Sequence, residues 1–115
     1  MRTDLERLFG PRSIAVIGAS NELGKISGQP LNFLVKRGYP GTLYPVNPRY
    51  EELLGRRCYP SIEALPETPD LALIVVNARL ALRMVEACGK RGVPFAIVFS
   101  SGFSEVGADG ASVEA

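Results

Sequence analysis

The stretch Ser13–Gly28, SIAVIGASNELGKISG, passes from β-branched apolar residues into glycines and small polar side chains. Glycines let backbone N–H groups come close to an anion, and the start of a following helix adds about half a positive charge. Ser20 can donate a hydroxyl and Lys25 supplies a cation, so the chemistry of this loop is that of holding a phosphate or pyrophosphate. The plainer alternative is a tight turn between a strand and a helix. A second cluster, Val46-Asn47-Pro48-Arg49, follows the run TLYPV, and a third, SSGFSE, follows FAIVF.

Two familiar phosphate patterns are absent. Gly18-Ala19-Ser20-Asn21-Glu22-Leu23-Gly24 is not GxGxxG, and Ala19 stands where GxxxxGK[ST] would need its first glycine before Gly24-Lys25. A nicotinamide dinucleotide also asks for an acid at the end of the second strand, to bind ribose hydroxyls. Here that position offers Asn47, Pro48 and Arg49, a base and no acid. This favours a ribose carrying an extra phosphate, as in NADP or coenzyme A.

The elements that must position these clusters alternate along the chain. Ile14–Ala19, Thr42–Val46, Leu71–Val76 and Phe95–Ser100 are short apolar runs of the kind buried on both faces of a sheet, with Arg57–Tyr59 a candidate short strand. Helical spacing runs from Ser27, a candidate N-cap, to about Arg37, with Pro30 in the first turn and Gly38 as the stop. A second helix, Arg79–Lys90, carries the stripe Leu80, Met84, Ala87 and Cys88. Strands alternating with helices imply right-handed crossovers and a doubly wound, mostly parallel α/β sheet. Ligands in such sheets bind beyond the carboxyl ends of the strands.

Composition narrows the class. The 115 residues make one compact domain, read as residues 1–115 with a continuation beyond, since a new helix is due after Gly110. Thirteen Lys and Arg against twelve Asp and Glu leave a net charge of +1, which favours neither nucleic acid nor a membrane surface. No signal peptide or bilayer-spanning run is visible, and Cys58 and Cys88 lack CxxC spacing, so a cytoplasmic protein with reduced thiols is expected. No metal-ligating constellation is evident. Cys88 reads as core, Cys58 is unplaced, and Glu22, Glu51, Glu52 and Glu105 read as solvated surface groups.

Taken together, LFGPRSIAVIGAS, the following GK, GYPGTLYPVNPRYEELLGRRCYPSIEALPETPDLALIVV and SSGFSEVG resemble the CoA-binding domain that opens NDP-forming acyl-CoA synthetases. These are relatives of the succinyl-CoA synthetase α subunit, and some bacterial protein lysine acetyltransferases begin with the same domain. The resemblance covers nearly the whole chain. It implies a Rossmann-like fold with coenzyme A as ligand, its phosphates near Gly18, Ala19, Ser20 and Lys25. It places the adenosine beside Val46, Asn47, Pro48 and Arg49, has Val76, Asn77 and Ala78 close over the ligand, and sets Ser101 and Gly102 near the pantetheine arm. Asn77 stands where the family often has proline, implying a looser turn, and Arg49 replaces a frequent lysine.

The family reaction joins an acid to CoA at the expense of a nucleoside triphosphate and passes a phosphoryl group through a histidine. This chain contains no histidine. It is therefore expected to bind CoA without catalysing anything, its partners being downstream ligase domains or a ligase subunit. A stand-alone CoA- or nucleotide-sensing module and the CoA-binding part of a lysine acetyltransferase are the alternatives; an NADP-dependent oxidoreductase is disfavoured by the loop pattern. A valine at Gly18 is expected to stand between backbone and pyrophosphate, abolishing CoA binding while sparing the fold.

Overall fold

The computed structural model describes residues 4–20 and 28–99. Strands β1 (Ser13–Ile17), β2 (Thr42–Val46), β5 (Leu71–Val75) and β6 (Phe95–Phe99) form one sheet in the order β2-β1-β5-β6, parallel throughout. Strand β1 is central, and all five of its residues are buried. The side-chain period of two divides the core between the two faces. Ile14 and Val16 pack with Leu43, Leu71, Val75 and Leu31 of helix α2 (Gln29–Lys36). Ala15 and Ile17 pack on the other face with Tyr44, Ile74, and Cys88 of helix α3 (Ala78–Arg91). One helix on each face is the doubly wound arrangement expected.

Helix ends follow local chemistry. Pro30 lies in the first turn of α2, but Gly28 occupies the N-cap and makes no side-chain cap; the expected cap, Ser27, is outside the described residues. Gly38, at φ +71°, ends the helix, and the Tyr39 N–H bonds back to the Leu34 carbonyl at 3.0 Å. Gly92, at φ +86°, ends α3 after Lys90 and Arg91, whose charges suit the helix's negative end.

Three elements differ from the sequence reading. A helix α1 (Asp4–Phe9) precedes the sheet; Leu5 and Phe9 stay 65% and 81% exposed, so it shows no packed stripe. The candidate strand at Arg57–Tyr59 is instead a hairpin of β3 (Glu52–Leu53) and β4 (Arg56–Arg57), with Tyr59 making only a parallel bridge to Val46. Among the described residues strand β6, expected to be buried, is the rim of the sheet: Ile97 is 39% and Phe99 36% exposed. A continuous apolar run marks a strand without saying whether a neighbour covers it.

The β3–β4 turn is Leu54-Gly55, with φ +50° and +78°, the geometry of a two-residue hairpin turn that asparagine suits and leucine does not. Leu54 is among the exposed large hydrophobics, so little packing is at stake. Leu54→Asn should raise stability by roughly 0.5–1 kcal/mol through relief of the left-handed backbone, read as a higher midpoint in urea.

Candidate functional site

From β1 the chain crosses to β2 on one side, and β5 lies on the other, so strand order reverses at β1. The crevice beyond the carboxyl ends of β1 and β5 is where such a sheet takes a ligand. A cavity of about 570 Å³ opens there, within the ordinary range for a small-molecule site. Gly18, Ser20, Val46, Asn47, Pro48, Arg49, Val76 and Asn77, eight of the residues singled out from sequence, line it. Ala19 does not: its side chain is fully buried in the core on the α2 face. Ala78 opens α3 outside the wall, and Lys25, Ser101 and Gly102 lie outside the described residues.

Gly18 turns the chain out of β1 at φ +88°, its N–H bonded to the Val46 carbonyl at 2.7 Å. A Cβ here would stand 2.2 Å from the Val75 carbonyl oxygen and 2.9 Å from Val76 Cγ1. The glycine is thus required by the neighbouring strand end, and the expectation that Gly18→Val spares the fold is overturned.

Asn47 fastens two strand ends together. Its Nδ2 donates to the Ala19 carbonyl at 2.9 Å, and its Oδ1 accepts from the Arg49 N–H at 2.9 Å. Its own N–H reaches the Tyr59 carbonyl at 2.8 Å. The Asn47 amide is therefore spent on holding the loop after β1 against the loop after β2. Arg49, by contrast, is exposed at the cavity wall, and no partner for its guanidinium is found among the described residues.

Across the cavity, Asn77 caps α3: its Oδ1 accepts from the Leu80 N–H at 3.1 Å. The turn that lacks the family's proline is held by this cap rather than loosened. The positive end of α3 stands at the cavity rim. Leu80, Met84 and Ala87, read from sequence as a helical stripe, line the cavity with Pro60, Ser61, Ile62 and Glu63 at the 3₁₀ turn Ile62–Ala64, and Met84 and Ala87 also pack against the core. Only their period was visible in the sequence, and a short 3₁₀ turn has none.

Both thiols are inert by burial. The Cys58 thiol donates to the Asn47 carbonyl at 3.4 Å, and desolvation pushes its pKa up. Cys88 lies in the core, and burial, aided by the Glu63 charge, pushes it up to about 11. At pH 8 an aromatic disulfide reagent should label neither until denaturant is added. A raised folded pKa favours the thiol form. The Cys88 share of stability is therefore complete below about 9 and should be lost as pH rises towards about 11, visible as a falling melting temperature that Cys88→Ala flattens.

Residues 12–113 match the CoA binding domain family. The chain belongs to that family. The ADP-forming acetate–CoA ligase I of Archaeoglobus fulgidus is 49% identical over 110 residues, which are 96% of this chain and 16% of that protein. The α subunit of the ADP-forming acetate–CoA ligase I of Pyrococcus furiosus is 43% identical over 114 residues, 96% of this chain and 25% of that subunit. Among solved structures, the apo dinucleotide-forming acetyl-coenzyme A synthetase 1 of Ca. Korarchaeum cryptofilum superposes with a TM-score of 0.82 at 48% identity, covering 90% of this chain and 22% of that one. The CoA-binding domain thus corresponds to a quarter or less of each of these relatives. Among the described residues, no helix is long and apolar enough to cross a membrane, and no cluster of three His, Cys, Asp or Glu side chains could hold a metal.

Proposed function

We propose that the cavity beyond β1, β2 and β5 is the CoA site and that the domain serves an NDP-forming acyl-CoA synthetase of the cytoplasm. Such an enzyme joins an acid to CoA as a nucleoside triphosphate is split, and runs reversibly. The observation that carries the site assignment is Arg49: a guanidinium without a partner among the described residues, at the wall of a cavity that receives Gly18 and the positive end of α3. These groups suit the polyanionic end of CoA, with Ser20 and Lys25 completing the phosphate side. Val76, Asn77 and Ala78 would close over the ligand, with Ser101 and Gly102 toward the pantetheine arm.

The phosphoryl relay needs a histidine, and this chain has none, so that step belongs to further ligase domains or a separate subunit. The chain alone should bind CoA, take no phosphate from ATP and form no acyl-CoA. Isothermal titration with CoA, NADPH and ATP tests the reading. CoA is expected to bind at least tenfold tighter than either of the others; an NADPH affinity equal to or above that of CoA overturns it.

A further inference from the structure

The cavity wall carries one side chain of each charge. Arg49 is the one cation and Glu63 the one carboxylate among the described residues that line it. Glu63 sits on the 3₁₀ turn, opposite α3, and the cavity follows that helix from Asn77 to Ala87, about 15 Å at the helical rise per residue. Beyond the cap of α3 the walls are Pro60, Ile62, Leu80 and Met84, an apolar slot. Two polar side chains face that slot from one short segment. The Ser61 hydroxyl precedes the turn without capping it, and Glu63 pairs with no cation among the described residues. The field of the Glu63 carboxylate reaches Cys88 on α3, which agrees with its place between turn and helix.

We infer that Ser61 and Glu63 read the adenine base of the ligand, with Glu63 selecting a 6-amino purine over a 6-oxo purine. Adenine presents an N6 amino donor beside a ring-nitrogen acceptor on either of its polar edges. A carboxylate accepts from the amino group, and a hydroxyl donates to the ring nitrogen. Hypoxanthine places a carbonyl oxygen at the same position, so acceptor would meet acceptor and the carboxylate would be left desolvated and unpaired. In this orientation the base lies toward Glu63 and the phosphates toward Arg49 and the start of α3. The inference rests on the CoA site assigned above.

The probes are CoA and the analogue in which hypoxanthine replaces adenine, titrated calorimetrically into this chain. The wild type should bind CoA at least tenfold tighter than the analogue. Glu63→Gln, whose amide can turn either face to the base, should bring that ratio below about threefold, with circular dichroism unchanged because Glu63 is exposed. Ser61→Ala should weaken both ligands alike, since a hydroxyl can donate or accept. Equal wild-type affinities, or a tenfold ratio surviving in Glu63→Gln, overturn the role of Glu63 and leave the CoA site standing. Failure of CoA itself to bind overturns the site assignment and this inference with it.

Discussion

Gly18→Val should yield little folded protein. The new Cβ would lie 2.2 Å from the Val75 carbonyl oxygen, a backbone atom that cannot swing aside as a side-chain tip could. Moving it means spreading β1 from β5, the pair at the centre of the sheet order. The backbone at φ +88° adds strain of its own for a β-branched residue, on the order of 1–3 kcal/mol. Together these place the loss at roughly 4 kcal/mol or more, the range reserved for core disruption and forced backbone geometry. That is a fall in melting temperature of about 10–20 °C for a domain of this size. Gly18→Ala should share most of the effect, because the clash begins at Cβ. A folded Gly18→Val protein melting within a few degrees of wild type would show that the strand ends open more readily than their packing implies.

That result also shows where sequence and structure part. The glycine at the end of β1 was legible as a special position, but the reason for it was not. Its constraint comes from Val75, far away along the chain, and from the strand order that sets the two side by side. The strands themselves were legible because β-branched apolar runs need both faces covered, and TLYPV reappears as β2 with the expected bounds. Pro45 is tolerated there because β2 is at one side of the sheet, and Tyr59 meets its outer flank, donating its N–H to the Pro45 carbonyl at 2.9 Å. The hairpin escaped notice because Leu54-Gly55 lacks the Asn-Gly signal that such turns usually carry. Likewise, periodicity grouped Leu80, Met84 and Ala87 on one face of α3 without telling whether protein or ligand would meet that face.

Asn47 makes the same point in the site. An asparagine after a strand, next to proline and arginine, reads equally as a ligand group or as a turn former. The structure gives its side chain two internal bonds, to the Ala19 carbonyl and the Arg49 N–H. Its effect on a ligand is thus exerted through position: it sets where Arg49 begins and how far the first loop stands from the second. Asn47 positions, and Arg49 is left to make contact.

Arg49→Ala should therefore remove a specific portion of CoA affinity. In the pose proposed above, with the base beside Glu63 and the phosphates toward Gly18, the ribose would lie near the end of β2, where Arg49 stands at the wall. A guanidinium there would meet the 3′-phosphate, which it can hold through two parallel N–H bonds. A charge-assisted hydrogen bond of this kind contributes roughly 1.5–3 kcal/mol, or about one to two decades in affinity. Wild-type protein should accordingly bind CoA at least tenfold tighter than dephospho-CoA, and Arg49→Ala should close most of that gap by weakening CoA alone. The salt dependence of CoA binding should flatten in the variant, because one exposed ionic contact has gone. Arg49→Lys separates charge from geometry: it should keep the salt slope and recover only part of the affinity. Equal binding of CoA and dephospho-CoA to the wild type would show that Arg49 does not read the 3′-phosphate, whichever residue holds the rest of the molecule.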